Sequence, residues 1–310
     1  MKDKFELISV DKIWDKAPHN AFTDLIRYDN SWYCTFREGE DHFTNGKIRV
    51  ISSKDGKKWK NIKFFRNKKF DYRDPKFSIT AKNELMINTA IHTIDSSNKN
   101  LYQSATWLCN DGKNWSEAYI CESGKDSWRW SVSWVDKKAY SVAYIGKDRL
   151  GCLYSSKDGK TWKVVKKEFF PDSLSLGNES SILFLKNKDA YCLLRRDNGT
   201  CTGVLGYSKP PYKNWNWKDL EVRIGGPKMI FLEEKNLFLT VVRLNDEKVR
   251  TSLCLIDPKK SKLKEVLELP SCGDTSYAGM VYFEDILWIS YYSSHEDNKT
   301  SIYLAKVKIS

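Results

Sequence analysis

The sequence predicts an all-β protein, a six-bladed β-propeller that the N-terminal strand closes into a ring. Three observations favour this fold: a repeated Ser-x-Asp-Gly-x-x-Trp segment, short strand-forming runs around each repeat, and no convincing run with helical periodicity. The length fits as well, because 310 residues is long for one compact core but ordinary for a closed array of repeats. We therefore expect residues 1–310 to form a single domain.

The repeated segment has the chemistry of a tight turn between two strands. It occurs at Ser53–Trp59, Cys109–Trp115 and Ser156–Trp162, and its aspartates are 56 and 47 residues apart. The Asp side chain accepts hydrogen bonds from the backbone N–H groups that follow it, and Gly supplies the positive φ of the turn. The Trp begins the outgoing strand and can fill the wedge between sheets. We therefore interpret six residues as structural, not catalytic: Asp55, Trp59, Asp111, Trp115, Asp158 and Trp162.

Around each turn the same succession of short strand-forming runs recurs, bounded by Asp, Asn or Gly. The predicted strands, unit by unit, are Ala21–Tyr28, Trp32–Phe36 and Ile48–Ser52; Lys76–Thr80, Glu84–Thr89 and Tyr102–Leu108; Ser131–Val135, Ala139–Tyr144 and Gly151–Tyr154; Ser180–Leu185, Ala190–Leu194 and Gly203–Tyr207; Lys228–Leu232, Leu237–Val242 and Thr251–Ile256; Ala278–Phe283, Ile286–Tyr291 and Ser301–Lys306. A fourth strand follows the turn in each unit except the sixth, which has no room for one before Ser310. The spare run Phe5–Ile13 is predicted to supply it, because ring closure removes an open sheet edge.

Composition argues against several classes of partner. The formal net charge is +12, but the Lys residues are scattered through turns instead of forming the stripe or arm of a nucleic-acid binder. No stretch of 18 apolar residues is present, so the sequence predicts no span of a membrane. We therefore expect a monomer with neither nucleic acid nor a membrane as its partner.

The eight Cys residues favour a reducing compartment. None forms a Cys-x-x-Cys pair, and several lie inside apolar strand runs, as expected of unpaired, buried thiols. The start of the chain, Met1–Lys4, lacks the apolar segment of a secretory leader. The sequence therefore predicts a cytoplasmic protein, or a secreted one if a leader has been removed.

Polar residues gather where the loops of the predicted propeller meet on one face. The first strand of each unit would line the axis, so the starts of first strands and the ends of second strands converge on one funnel. The candidate site residues there include His19, Arg37, Asp41, Asp74, Trp130, Glu179, Arg195, Arg196, Arg243 and Tyr277. Arginine binds carboxylates, acids bind hydroxyls and Trp packs on a sugar face, so the set suits a carbohydrate partner. No phosphate loop is present and the four His have no metal-site spacing, so we predict no cofactor and no metal.

With its three turns at Asp55, Asp111 and Asp158, the chain resembles the sialidase superfamily of glycoside hydrolases over essentially its whole length. Members of that family carry a Glu at the start of the fourth blade and an Arg near the end of the next strand. Asn178-Glu179, followed by Arg195 and Arg196, is similar to this pair. Asp274–Tyr277 is similar to the segment that carries the family's nucleophilic Tyr.

Two more segments are similar to parts of the sialidase site. Arg37 followed by Asp41 resembles the loop that carries the family's acid/base Asp, and Asp74 resembles the Asp that contacts substrate. The resemblance implies retaining hydrolysis, in which Tyr277 is the nucleophile, Glu179 accepts its proton and Asp41 protonates the leaving oxygen.

The chain departs from the family in the arginines that clasp the sialic-acid carboxylate. Where the family opens its first blade with an Arg, this chain has His19–Thr23, and where the third Arg opens the fifth blade it has Gly225–Lys228. Arg243 or Lys228 replaces these groups only in part, since a lone ammonium cannot form a bidentate fork. The resemblance therefore implies an exo-acting hydrolase of a terminal sugar, with the sugar left open and sialic acid disfavoured.

Two functions without catalysis compete with this one. A glycan-binding propeller would keep the pocket while lacking the arginine clasp. A protein-interaction scaffold would bind partners through its flat faces and leave the funnel dispensable.

Overall fold

The protein is built from strands. A computed structural model describes residues 4–310. Residues 1–3, which belong to the N-terminal segment that was analysed for a secretory leader, lie outside that range. Within residues 4–310 the only helical segments are two 3-10 turns, Gly146–Asp148 and Glu233–Lys235. No helix in this part of the chain is long and apolar enough to cross a membrane.

The first thirteen strands form one terminal strand and three four-stranded sheets. They are β1 (Phe5–Trp14); β2 (His19–Tyr28), β3 (Ser31–Gly39), β4 (Lys47–Ser53) and β5 (Lys60–Phe65); β6 (Asp71–Ile79), β7 (Leu85–Ile94), β8 (Asn100–Cys109) and β9 (Tyr119–Lys125); β10 (Trp128–Val135), β11 (Lys138–Tyr144), β12 (Cys152–Ser156) and β13 (Trp162–Lys167). Each sheet is antiparallel, with its strands in chain order.

The remaining strands form two further sheets. They are β14 (Gly177–Phe184), β15 (Ala190–Arg196), β16 (Thr202–Ser208), β17 (Asn216–Leu232), β18 (Leu237–Asn245), β19 (Val249–Asp257) and β20 (Lys262–Glu268); then β21 (Thr275–Phe283), β22 (Ile286–Ser293) and β23 (Ser301–Ile309). The strands β14 to β20 make one seven-stranded sheet, and β1 joins the last three in the order β1-β23-β22-β21.

The predicted division into six separate blades is wrong. Residues 4–310 form four four-stranded sheets and one seven-stranded sheet. Strand β17 is the reason, because it pairs with β16 up to Arg223 and with β18 from Ile224 onward. No Gly or Pro lies between Asn216 and Ile224, so nothing in this segment terminates a strand. The chain passes from one partner to the next within one strand, through a β-bulge that contains Glu221 with a φ of 59°, and two predicted blades share one sheet.

The sheets are nevertheless arranged as a propeller. Strands β2, β6, β10, β14, β17 and β21 contact one another in that order, and β21 contacts β2, which closes the ring. The predicted N-terminal strand lies in β1, which pairs with β23 from Phe5 opposite Ile309 to Trp14 opposite Ile302. The two ends of the chain are thus held in one sheet.

Burial falls from the centre of the ring to its rim. Every residue of β3 is buried, whereas the rim strand β20 alternates between exposed and half-buried residues. Aromatic side chains fill the space between neighbouring sheets, as where Trp32 lies against Trp288 with ring centroids 4.2 Å apart. The core is therefore a series of wedges between sheets, which keeps the inner strands fixed relative to one another.

The repeated turns lie at the end of the sheets away from the starts of the inner strands. In the sheet of β2–β5, His19 pairs with Gly39 and Glu38 with Lys47, while Trp32 pairs with Ser53 at the other end. In the turn that follows, the Asp55 carboxylate accepts hydrogen bonds from the N–H groups of Lys57 and Lys58, at 2.8 and 2.9 Å. Asp111 and Asp158 accept equivalent bonds.

The Trp side chains of two of the three turns fold back onto the turn glycine. Trp59 and Trp162 each donate their indole N–H to the carbonyl oxygen of the Gly three residues earlier. Trp115 has no such bond within residues 4–310. These hydrogen bonds join residues of the same turn, as expected of groups that stabilise its conformation.

Candidate functional site

All six inner strands carry a β-bulge, close to the first residue in five of them and, in the long strand β17, where its pairing with β18 begins. The ladder to the next strand shifts register between Ala21 and Asp24 in β2 and at the corresponding place in the other five strands. A bulge places an extra residue in one strand and redirects its side chain. The residues at these shifts include one from each strand, which we call the bulge ring: Phe22, Asp74, Trp130, Glu179, Gly226 and Tyr277.

The backbone at the bulge ring is strained. Phe22, Asp74 and Tyr277 have φ values of 61°, 48° and 50°, in the region that bulky residues avoid. Such conformations cost free energy and persist where the surrounding structure holds them, often at functional sites. Phe22 and Trp130 both contact the Tyr277 ring, with centroid distances of 4.8 and 5.5 Å. The ring residues thus meet around Tyr277.

Tyr277 and Glu179 form the central polar contact. The Tyr277 hydroxyl donates to Oε1 of Glu179, which also accepts a bond of 2.8 Å from Nη1 of Arg195. The other oxygen, Oε2, accepts the backbone N–H of Gly226 at 2.7 Å. A β-carbon at Gly226 would lie 2.9 Å from the Tyr277 backbone nitrogen, so only Gly fits there. The carboxylate is therefore held by three donors and aimed at the phenol.

The surroundings of this pair move the pKa values of Tyr277 and Glu179 in opposite directions. Burial, with the nearby Glu179 carboxylate, raises the pKa of Tyr277 well above its ordinary value. Burial opposes ionisation of Glu179 too, but Arg195 and then Arg243 outweigh it and lower the pKa of Glu179. At neutral pH the shared proton therefore lies on the phenol, and Glu179 is a base that can accept it.

Asp74 is the second carboxyl group of the bulge ring. It is only 7% exposed, and no donor reaches its carboxylate in the part of the chain that the structure describes. Burial raises the pKa of Asp74 to about 6, although Arg73 and Lys76 act in the opposite direction. A carboxyl group with a raised pKa can donate a proton near neutral pH, as a general acid must.

Asp41 lies apart from the ring, exposed in the loop between β3 and β4. Its Oδ1 accepts hydrogen bonds from the N–H of Phe43, the N–H of Thr44 and the Thr44 hydroxyl, at 2.7 to 3.0 Å. These bonds, from Phe43 and then Thr44, lower the pKa of Asp41. Across residues 4–310 no hydrogen bond or ion pair joins this side chain to the ring. The geometry is that of a carboxylate that stabilises its own loop.

The arginines predicted to bind substrate have different surroundings. Arg37 is fully buried and donates to the Asp71 carboxylate and to the carbonyl oxygens of Asp41 and Thr44. Arg196 bonds Asp219 and Thr202, away from the Tyr277–Glu179 pair. Both guanidinium groups are therefore already engaged by the protein.

Only two of the predicted arginines lie beside the central pair. Arg195 bonds Glu179 and also Asp197, at 2.8 and 2.6 Å. Arg243 has its guanidinium carbon 5.9 Å from the centre of the Tyr277 ring. It donates to the Thr275 carbonyl oxygen at 3.3 Å and has no carboxylate partner among residues 4–310. Arg243 is thus the one predicted arginine that a substrate could engage without competition.

Sequence reasoning missed a buried cation beneath the ring. Lys76 lies in β6, fully enclosed, and donates to the carbonyl oxygen of Thr23 at 2.8 Å. Its Nζ is 5.1 Å from the Trp130 ring centre and 5.6 Å from that of Tyr277. Burial lowers the pKa of Lys76. Lys76 begins a predicted strand, and nothing in the local pattern distinguishes it from the many exposed lysines.

A separate groove of about 960 Å³ lies along the seven-stranded sheet. Its walls include Leu185, Phe231, Leu255 and several lysines, but no residue of the bulge ring. The paired acid and base groups lie elsewhere, so we assign the candidate site to the bulge ring.

Comparisons with known proteins identify the fold. No protein-family model matches the sequence, and no curated protein matches it. Among solved structures, a Dyadobacter fermentans protein of unknown function superposes with a TM-score of 0.83 at 15% identity, over 99% of each chain.

Two named enzymes are similar as well. An α-L-arabinofuranosidase from Fusarium graminearum has a TM-score of 0.73 at 15% identity, over 97% of this chain and 98% of that one. A Trypanosoma rangeli sialidase has a TM-score of 0.69 at 14% identity, and the match covers 94% of this chain but 55% of the sialidase. At such identities the likeness concerns the fold. The chain therefore has the fold of the sialidase-like propellers, an architecture that it shares with glycoside hydrolases.

Proposed function

We propose that this protein is a retaining glycoside hydrolase that removes a terminal sugar at the bulge ring. One observation carries the proposal: the buried Glu179 carboxylate accepts a hydrogen bond from the Tyr277 phenol inside the ring. A phenol paired with an ionised base is an activated nucleophile. The names of two structural neighbours, an α-L-arabinofuranosidase and a sialidase, add support, because both are names of glycosidases.

In the first step the Tyr277 oxygen forms a bond to the anomeric carbon and its proton passes to Glu179. The bond from that carbon to the leaving oxygen breaks, and a carboxylic acid gives this oxygen its proton. In the second step water attacks the anomeric carbon, its proton passes to the same carboxylate, and Tyr277 leaves with the proton from Glu179. Arg195 and Arg243 lie beside the pair and stabilise the negative charge that develops on the Tyr277 oxygen as it leaves.

We assign the acid to Asp74 in preference to Asp41, the residue that family resemblance suggests. Asp74 belongs to the ring and has a pKa raised to about 6 by burial, whereas three donors hold Asp41 ionised in its loop. Two carboxyl groups whose surroundings separate their pKa values, here Asp74 and Glu179, are suited to act as acid and base.

We further propose that the sugar is neutral. A carboxylate clasp needs several free guanidinium groups, but Arg37 and Arg195 already bond Asp71, Glu179 and Asp197. Among the predicted arginines, Arg243 alone offers a guanidinium group without a carboxylate partner in residues 4–310. Two parallel N–H groups of one guanidinium suit a pair of hydroxyl oxygens as well as a carboxylate.

A panel of 4-nitrophenyl glycosides tests the proposal. It should include an α-L-arabinofuranoside, several pyranosides and an α-sialoside. We expect release of nitrophenol from at least one neutral glycoside, with retained configuration at the anomeric carbon by proton NMR. Efficient turnover of the sialoside alone would contradict the neutral sugar. Binding of glycans without any release would contradict the hydrolase and favour a glycan-binding propeller.

A further inference from the structure

Two histidines and one aspartate from distant segments meet beside the bulge ring. His19 begins β2, His42 lies in the loop after β3, and Asp274 comes directly before β21. His19 Nε2 is 3.1 Å and His42 Nδ1 is 3.2 Å from the same oxygen, Oδ2 of Asp274. All three donor atoms lie within 4.8 Å of one another. We propose that these residues, the His-Asp-His cluster, bind one divalent transition-metal ion.

The spacing of the donor atoms suits such an ion. Zinc binds imidazole nitrogen and carboxylate oxygen at about 2.0–2.2 Å, so two ligands of a tetrahedral site stand about 3.3 Å apart. The distances from Asp274 Oδ2 to the two nitrogens are already close to that value. To bind the ion, each of these two nitrogens must present its lone pair, so a proton on that nitrogen moves to the other nitrogen of the same ring or to solvent.

The surroundings hold the aspartate for this role. The Tyr292 hydroxyl donates to Oδ1 of Asp274 at 2.6 Å, which leaves Oδ2 for the ion. Outer hydrogen bonds of this kind orient the ligands of metal sites. No Lys or Arg of residues 4–310 forms an ion pair with Asp274, so no fixed cation competes.

The cluster is open to solvent on one side. The side chains of His42 and Asp274 are 37% and 32% exposed, whereas His19 is 11% exposed. Three protein ligands with an open side leave room for water or another ligand on the ion. Phe22 separates the cluster from the nucleophile, with its ring centroid 4.9 Å from His42 and 4.8 Å from Tyr277. The proposed site is thus next to the pocket but distinct from the Tyr277–Glu179 pair.

The ligand types select the class of ion. Imidazole with one carboxylate favours zinc, nickel or copper over calcium and magnesium, which prefer all-oxygen sites. Nδ1 of His19 is buried and has no hydrogen-bond partner among residues 4–310. One customary supporting bond is therefore missing, and we expect weaker binding than at a structural zinc site.

Isothermal titration of the full chain with zinc chloride, after treatment with a chelator, tests the site. We expect one zinc ion per chain, and we expect His42→Ala and Asp274→Asn each to weaken binding by at least about tenfold. His42 is partly exposed, so its variant should fold, and thermal unfolding checks both variants. His92→Ala is the matched control, because His92 lies outside the cluster and should leave binding within about twofold.

Absence of zinc binding by the wild-type chain would overturn the proposal. Equal binding by the wild type and both cluster variants would also overturn it, since the ion would then lie elsewhere. Calcium chloride serves as the second titrant, and binding of calcium in preference to zinc would contradict the class of ion. The readout is binding alone, so the result is independent of whether the protein hydrolyses glycosides.

Discussion

Replacement of Asp74 by Asn should stabilise the protein at neutral pH while it removes the proposed acid. Burial raises the pKa of Asp74 from 3.8 to about 6, so the folded state disfavours the ionised carboxylate. A pKa raised by this amount corresponds to about 3 kcal/mol of unfolding free energy. The folded state binds more protons than the unfolded state between these values, so the stability that Asp74 contributes is present below pH 4 and is lost as pH rises through 6. Asparagine, which does not ionise, avoids that loss.

Urea unfolding of the wild type and Asp74→Asn from pH 4.5 to pH 8 measures this effect. The gain in stability of the variant should grow by about 2 kcal/mol across this range. Asp41→Asn is the matched control: its carboxylate is exposed and stabilised by three donors, so the variant should gain nothing as pH rises. An Asp74→Asn variant whose stability follows the wild type at every pH would refute a carboxyl group whose pKa burial raises to about 6.

Activity and packing give further expectations. Glu179→Gln keeps the shape of the side chain but removes the base, so kcat on the best aryl glycoside should fall by about 10²–10⁴. Thermal unfolding of the variant checks that it is folded like the wild type. Gly226→Ala should destabilise the protein and lower activity, because the new methyl group meets the Tyr277 backbone at a φ of 54°. Gly199→Ala is its control, because Gly199 has a φ of 67° and open space around it. Urea unfolding of this variant should show only the backbone cost of about 1–2 kcal/mol. An equal loss of stability in both variants would count against the close packing at Gly226.

The strands could be predicted from the sequence because their signals are local. Each predicted strand overlaps an observed one, since alternating strand-forming residues and Asp-Gly turns act over a few neighbours. The shared sheet could not be predicted in the same way. The link from Asn216 to Ile224 contains strand-forming residues on both sides of the change of partner, and only tertiary contacts decide where it pairs.

Burial decided much of the candidate site, and burial is not visible in the sequence. Glu179 and Tyr277 could be predicted from family resemblance, and the structure brings them into contact. Asp41 and Asp74 are the same residue type near neighbouring strands, yet one stabilises an exposed loop and the other lies enclosed without a donor. The His-Asp-His cluster joins positions more than 200 residues apart, so spacing rules for metal ligands could not find it.

Tyr277 is the proposed nucleophile, and its hydroxyl can be removed without removing its ring. The most direct measurement is kcat/KM of the wild type and Tyr277→Phe on the best 4-nitrophenyl glycoside of the panel. Phe keeps the ring contacts with Phe22 and Trp130, so thermal stability should change little. We expect kcat/KM of Tyr277→Phe to fall by at least about a thousandfold. A Tyr277→Phe variant that keeps activity within about threefold of the wild type would contradict it.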